Sequence, residues 1–149
     1  MMNLRLDGEH MRFVRAHCDG SGLAPIVDAI PGSGHPTLHP DGRHILTDAY
    51  PHEPVAFGDG TVPIRLVDVE AGTERTLVRI QAVPPYSGPR RELRVDPHPA
   101  WDRDFRRIAF NGCPDGTRRV YVGDLSGELG RTTVAQAPGE PTHAGPARA

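Results

Sequence analysis

The chain has 149 residues, a normal length for one domain, with a formal charge of −2 and a pI near 6.4. This balance excludes the strongly basic surface that nucleic acid or an anionic membrane requires, so we expect neither as a partner. Glycine (17) and proline (16) are abundant and aromatic residues make up only 5%, which favours short strands joined by turns over long helices.

The first predicted unit, residues 1–33, contains too few strands for a complete blade-like sheet. Asp7-Gly8 and Asp19-Gly20 each lie between apolar segments, and Asp-Gly pairs in that position are a strong hairpin signal because glycine accepts positive φ. Three segments are predicted as strands: Asn3–Leu6, Met11–Ala16 and Leu23–Ala29. We interpret this unit as a partial blade.

Two further units are related by an internal repeat. Residues 34–48 (GHPTLHPDGRHILTD) align with residues 97–111 (PHPAWDRDFRRIAFN) at an offset of 63, which places His35 on His98. The segments 65–69 and 120–125 then align at an offset of 56, because the first unit carries a longer loop. The repeat therefore predicts two copies of one strand arrangement.

Each copy is predicted to form four short strands. In residues 34–96 these are His35–Leu38, His44–Asp48, Ile64–Val69 and Thr76–Ile80. In residues 97–136 they are Pro99–Trp101, Arg107–Asn111, Arg119–Leu125 and Arg131–Val134. Residues 137–149 are rich in proline, glycine and alanine, and we expect a disordered tail there.

Four-stranded antiparallel units that recur in this way are typical of β-propeller blades, so the predicted fold class is all-β, a β-propeller fragment. Two full blades and a partial one cannot close a ring, and the outer faces of the end blades would stay exposed. We therefore expect a piece of a longer protein, a truncated product, or an oligomer in which other blades complete the ring.

The turn residues of the repeat have a structural explanation. Gly42, in Asp41-Gly42-Arg43, is expected to supply positive φ, whereas Phe105 at the matching position indicates a different turn type. His39, His44 and His52 enrich the first copy, where a solvated turn is favoured and a second metal site is the alternative.

The run from His35 to Ile45 (HPTLHPDGRHI) resembles the TolB-type, WD-like propeller repeat. A longer run over residues 34–126, which includes Val95–Trp101 (VDPHPAW), is similar to the C-terminal blades of the oligogalacturonate lyase family. That resemblance implies a seven-bladed propeller that binds a divalent metal ion, typically manganese. It also implies cleavage of short galacturonate oligomers by β-elimination.

The same resemblance implies that His35 and His98 are metal ligands, with Asp96 where the family has another histidine. Leu93 stands where the family has a glutamine ligand and cannot coordinate a metal, which is a departure from the pattern. The family's base would lie in blades outside this sequence, so no catalytic residue is assigned.

An argument from geometry supports the paired histidines. The first strand of each blade is innermost, so His35 and His98 should lie side by side at one mouth of the central channel. With Asp96 they would suit a manganese-like or zinc-like ion, which could act as a Lewis acid on a uronate carboxylate. The alternative is that each His-Pro pair ends a loop, with its imidazole hydrogen-bonded to the backbone.

Residues near the second His-Pro pair are candidates for substrate binding. Arg90, Arg91 and Arg94 could pair with uronate carboxylates, and a solvated loop is the alternative. Tyr86 could stack on a sugar ring, as could Tyr50, whereas Trp101 is expected to pack between blades.

Three functional hypotheses follow: a metal-assisted lyase acting on uronate oligosaccharides, a non-catalytic propeller that binds proteins or sugars, and an inactive truncated product. The expected partners are an oligosaccharide substrate or the remaining propeller blades, and we expect this chain to be inactive alone. Because the sequence shows no apolar signal-peptide segment, a cytoplasmic location is expected.

Overall fold

The computed structural model describes residues 1–6, 8, 10–82 and 94–129, which form ten β-strands and no helix. The strands are β1 Met2–Arg5, β2 Met11–Arg15, β3 Ala24–Pro25, β4 Thr37–Leu38, β5 His44–Thr47, β6 Thr61–Asp68, β7 Thr73–Gln81, β8 Ala100–Trp101, β9 Arg107–Gly112 and β10 Arg119–Asp124. In this part of the chain, no helix long and apolar enough to cross a membrane occurs.

The strands form three antiparallel sheets in chain order. The first sheet contains β1, β2 and β3, the second contains β4 to β7, and the third contains β8, β9 and β10. The predicted fold class is therefore confirmed, with one four-stranded sheet between two three-stranded ones. The strand predicted at Arg131–Val134 and the tail predicted at residues 137–149 lie outside the described residues.

The strand register confirms the internal repeat. Residues that pair in the second sheet have equivalents that pair in the third. Between β4 and β5 both members of a pair are shifted by 63 residues. Between β5 and β6 the member in β5 is shifted by 63 residues and the member in β6 by 56. The equivalent pairs are Thr37 with Leu46 and Ala100 with Ala109, and His44 with Asp68 and Arg107 with Asp124. The loop that causes the change of offset lies between β5 and β6.

The sheets stack face to face, and two apolar clusters lie between them. Phe13, Val27 and Ile30 of the first sheet and its following loop pack against Ile45 and Val67 of the second. Between the second and third sheets the buried residues are Leu46, Ala49, Val62, Ile64, Ile80, Ala82, Ile108, Phe110 and Leu125. Each fully buried aliphatic side chain stabilises the stack by roughly 1.5–3 kcal/mol.

Trp101 packs against this second cluster, as predicted. The opposite face of the third sheet is different, because Val120 and Val122 of β10 are 71% and 70% exposed there. Tyr121, between them, points inward and stacks on Phe110 with ring centroids 5.6 Å apart. The alternation predicted for this strand is thus present, and it leaves an apolar outer face.

The turns that follow β4 and β8 both contain a residue with positive φ at the matching position, although the sequence predicts two different turn types. Gly42 has φ +72°, and Phe105 at the matching position also has a positive φ, +55°. The N–H of Phe105 donates to the carbonyl of Asp102 at 3.2 Å, and its ring makes an edge-on contact with His39, with centroids 5.5 Å apart. The expectation of a different turn type is wrong, because the preference of glycine for positive φ does not exclude other residues.

A carboxylate stabilises each of these turns, but from different positions. Asp41 Oδ1 accepts the N–H groups of Arg43 at 2.8 Å and of His44 at 3.0 Å. Burial works against the ionised form of Asp41, yet these bonds and the neighbouring imidazoles hold its pKa well below the usual range. In the third sheet Asp102 takes this role, accepting from Arg106 and Arg107, and Asp104 does not.

Candidate functional site

His35 and His98 lie next to each other where the second and third sheets meet. Each precedes the first strand of its sheet, and their imidazole rings lie edge to face with centroids 3.5 Å apart. One ligand atom from each of His35, Asp96 and His98 lies within 4.8 Å of the other two. The structure therefore brings together the three residues that the sequence predicts as metal ligands.

Asp48, at the end of β5, connects these two histidines through their backbones. Its Oδ1 accepts the N–H of His35 at 2.6 Å, and its Oδ2 accepts the N–H of His98 at 3.0 Å. The carboxylate is buried, so these bonds are shielded from water. One side chain thus fixes the start of the first strand in both sheets. The strand β4 begins at Thr37, two residues after the predicted start at His35.

Asp48 also orients the imidazole of His35. Nδ1 of that ring lies 3.1 Å from each carboxylate oxygen of Asp48. Because a carboxylate only accepts hydrogen bonds, Nδ1 donates and Nε2 is left with its lone pair. A carboxylate behind a histidine in this way sets the tautomer and direction of metal-binding imidazoles.

Gly34 allows the chain to pass close to Asp48. It has φ +66°, and a Cβ at this position would lie 2.2 Å from Oδ1 of Asp48 and 2.3 Å from its carbonyl oxygen. No residue with a side chain fits there without a backbone shift. His98 also has a positive φ, +45°, which is uncommon for a residue other than glycine and is tolerated where the surroundings fix it.

Arg94 and Tyr50 complete the surroundings of Asp96 and His35. Arg94 Nη2 donates to Asp96 Oδ2 at 2.8 Å, and its Nε lies 2.7 Å from Oδ1. The Tyr50 ring stands edge-on to His35 with centroids 5.2 Å apart. The guanidinium carbon of Arg94 lies 6.0 Å from the centroid of the Tyr50 ring. Burial, followed by the negative charges of Asp48 and Asp96, raises the pKa of Tyr50.

An open cleft of about 400 Å³ adjoins the histidines. Asp96 and His98 line it together with three arginines, Arg94, Arg118 and Arg119. The remaining lining residues are Val95, Asn111 and Val120. Arg94 is paired with Asp96 and Arg119 with Asp115, so the three guanidinium groups leave the cleft a small positive balance. This balance suits a ligand that carries carboxylate or phosphate groups.

The predicted substrate residues divide into two groups. Arg94 lies in the cleft beside the candidate metal ligands. The others lie outside the described residues, so their roles stay predictions: Tyr86, Arg90 and Arg91. The same holds for Leu93, which stands where the lyase family has a glutamine. Sequence reasoning missed Asp48, although the repeat carried a signal, since Asp48 aligns with Asn111, another polar residue at the end of a buried strand.

The donor set fits a divalent ion. Two imidazoles and one carboxylate are ligands that zinc-like and manganese-like ions accept, and Asp48 leaves a free lone pair on His35. Asp96 is shared with Arg94, so the ion and the guanidinium would compete for its oxygens. A metal held here would therefore rest mainly on His35 and His98, with Asp96 as the third ligand.

Three stacked antiparallel sheets in chain order are consistent with a piece of a β-propeller. Among solved structures, the chain is similar to the crystal structure of TolB from Acinetobacter baumannii, with a TM-score of 0.54 and 18% sequence identity. The match covers 78% of this chain and 25% of that one, so the chain spans about a quarter of its length. No protein-family model and no curated protein matches the sequence.

This likeness establishes the TolB-like propeller fold predicted from the repeat. At this level of identity the likeness concerns the fold and not the activity. The finer resemblance to oligogalacturonate lyases, and with it the lyase reaction and the manganese ion, is not tested by the comparison and stays a prediction.

Proposed function

We propose that this chain is part of a β-propeller that binds a divalent metal ion at His35, His98 and Asp96, and with it a carboxylate-bearing saccharide such as a uronate oligomer. The observation that carries the proposal is the convergence of these three side chains to within 4.8 Å, with Asp48 behind them. The arginines of the adjacent cleft supply the positive charge that a uronate needs.

The chain's own residues contribute binding and orientation. Asp48 holds the His35 ring through Nδ1 and leaves Nε2 for a ligand. In this proposal Arg118 and Arg119, which line the cleft, bind a second carboxylate of an oligomer, and Arg119 exchanges its ion pair with Asp115 for that carboxylate. When bound, a divalent ion supplies Lewis acidity toward the carboxylate of the substrate. The manganese ion implied by the lyase resemblance is one such ion, and a zinc-like ion is the other that this donor set accepts.

For the complete propeller we propose β-elimination as the reaction. A base takes the proton from the carbon next to the carboxylate, and the electrons of that C–H bond form a carbon–carbon double bond. The glycosidic oxygen leaves with the electrons of its bond to carbon and takes up a proton. We assign no base among the residues of this chain, so we expect the chain alone to bind and not to cleave.

The binding proposal is tested by calorimetry on the 149-residue chain. We expect Mn²⁺ to bind the wild type and digalacturonate to bind only when Mn²⁺ is present. His98→Ala should abolish both. Arg119→Ala should weaken digalacturonate binding at least several-fold and leave Mn²⁺ binding unchanged. Arg103→Ala, an exposed arginine outside the cleft, is the matched control and should change neither.

A second candidate is a propeller that binds sugars without a metal ion. It is favoured by the ion pair between Arg94 and Asp96, which engages both carboxylate oxygens. Digalacturonate binding that is equal with and without Mn²⁺, and is unaffected by His98→Ala, would decide for this candidate and against the metal site.

A further inference from the structure

A second cluster of metal-ligating side chains lies in the turn between β4 and β5, at the opposite end of β4 from His35. One ligand atom from each of His39, Asp41 and His44 lies within 4.8 Å of the other two. All three residues belong to one hairpin, so their spacing is set by the turn and does not depend on the candidate site.

The backbone of the turn fixes the carboxylate between the two imidazoles. Asp41 Oδ1 is occupied by the N–H groups of Arg43 and His44. Its Oδ2 is thereby directed to the other side, where it lies 2.6 Å from Nδ1 of His44 and 3.0 Å from Nδ1 of His39. The turn therefore positions the three side chains before any ion arrives, which lowers the entropic cost of binding. Because a carboxylate only accepts hydrogen bonds, Nδ1 of His44 donates to Oδ2, and an ion bound at this nitrogen would displace that proton.

Nδ1 of His39 has two contacts that require opposite protonation of this nitrogen, so a neutral ring can satisfy only one of them. Nδ1 of His39 accepts the N–H of Asp41 at 3.3 Å and also lies 3.0 Å from Oδ2 of the same residue. A neutral imidazole nitrogen cannot accept one bond and donate another. When Nδ1 accepts, two lone pairs face each other, and a cation between them converts this repulsion into attraction.

The surroundings of the cluster strengthen such an interaction. The side chains of His39 and His44 are 16% and 15% exposed. The rings of Trp101 and Phe105, from the third sheet, stand edge-on to His39 with centroids 5.2 and 5.5 Å away. An apolar wall beside charged ligands reduces solvent screening, while Asp41 stays reachable from solvent.

We propose that His39, Asp41 and His44 form a second metal site that takes a zinc-like divalent ion. Two imidazole nitrogens and one carboxylate oxygen are typical zinc ligands, and three protein ligands leave a fourth position open for water or an external ligand. The site goes beyond the proposed saccharide function and shares no ligand with His35, Asp96 and His98.

The test is a Zn²⁺ titration of the 149-residue chain by calorimetry, with Co²⁺ absorption in the visible range as a second readout. We expect His44→Gln to weaken one class of sites at least tenfold and to leave the class that His98→Gln removes. His52→Gln, whose side chain is 68% exposed beside Glu53, is the matched control and should leave both classes intact.

Two results would overturn the second site. One is that the wild type and His44→Gln bind Zn²⁺ with equal stoichiometry and affinity. The other is that His98→Gln abolishes all Zn²⁺ binding. A loss seen only in His98→Gln would leave the candidate site standing, so the two proposals fail separately. If His44→Gln does not fold, the imidazole ¹⁵N shifts of the wild type decide. Zn²⁺ must move the Nδ1 signals of His39 and His44, and unmoved signals would refute the proposal.

Discussion

At the scale of single residues, Asp48 accepts backbone N–H groups of His35 and His98 with separate oxygens. We expect Asp48→Asn to lower the free energy of unfolding by about 1–3 kcal/mol, because the amide has one acceptor where two are needed. Metal affinity should fall by roughly 10–100-fold, since His35 loses its orienting carboxylate. Urea unfolding and Mn²⁺ calorimetry measure the two effects.

Asp124→Asn is the matched control for this substitution. Asp124 also ends a strand and accepts a backbone N–H, that of Ser126 at 2.9 Å, but it is exposed and far in sequence from the histidines. The Asp124→Asn substitution should leave metal affinity unchanged. An Asp48→Asn chain that binds Mn²⁺ as tightly as the wild type would show that Asp48 does not orient the site.

Gly34 permits a second residue-scale prediction, because Gly58 provides its control. Both glycines have positive φ, +66° and +75°. A Cβ at Gly34 would lie 2.2 Å from Oδ1 of Asp48, whereas a Cβ at Gly58 would have no neighbouring atom within 4 Å among the described residues. Gly58→Ala should cost about 1 kcal/mol from backbone strain alone. Gly34→Ala should cost several kcal/mol more or prevent folding. Equal urea midpoints for the two variants would contradict the close approach.

At the scale of strands and turns, the sequence was most informative where a pattern repeats. The offsets of 63 and 56 predicted which residues of β4, β5 and β6 are equivalent to residues of β8, β9 and β10. The strand pairing preserves this equivalence, because strand register follows from turn length and alternation. The adjacency of His35 and His98 followed from the same repeat.

Contacts that the repeat does not encode could not be predicted. The turn carboxylate moves from Asp41 to Asp102, a different position in the aligned units, because either can reach the same N–H groups. Arg118 and Arg119 enter the cleft only because the chain folds back beside His98. Such contacts depend on tertiary packing, which overrides local pattern.

The ion pair between Arg43 and Asp68 joins the start of β5 to the end of β6 and makes stability depend on pH. Arg43 Nε donates to Asp68 Oδ1 at 2.9 Å, and this bond is the main reason that the pKa of Asp68 falls from 3.8 to about 2. A carboxyl whose pKa is lower in the folded state contributes stability above its unfolded pKa and loses it as the pH falls. This contribution should therefore disappear between about pH 4 and pH 2.

Urea midpoints measured from about pH 5 to about pH 2 for the wild type and Asp68→Asn test this expectation. The two curves should converge at the acid end, because the wild-type carboxyl is then protonated and resembles the amide. Other carboxylates titrate in both chains and cancel in the difference. A difference that stays constant through this range would mean that the ion pair does not stabilise the fold.

At the scale of the whole molecule, the outer face of the third sheet determines how the chain behaves in solution. Val120 and Val122 are about 70% exposed on it, and Ala100 and Ala109 of the neighbouring strands are also exposed. The inner face of the same sheet packs on the second sheet, whereas among the described residues no further sheet covers the outer face, where a propeller blade normally has a neighbour. Apolar sheet faces of this kind associate with one another in water.

We expect weak, concentration-dependent self-association of the 149-residue chain through this face. Docking two copies buries four valines, and each fully buried valine side chain contributes roughly 1.5 kcal/mol to the free energy of association. The loss of translational and rotational freedom offsets much of this gain. Val120→Lys with Val122→Lys should give a monomer, because four ammonium groups would face one another. Ala71→Lys with Thr73→Lys adds the same charge at two exposed positions, in the turn after β6 and at the first residue of β7, and should leave association unchanged. Sedimentation velocity distinguishes these outcomes, and identical profiles for both double variants would show that association, if any, uses another surface.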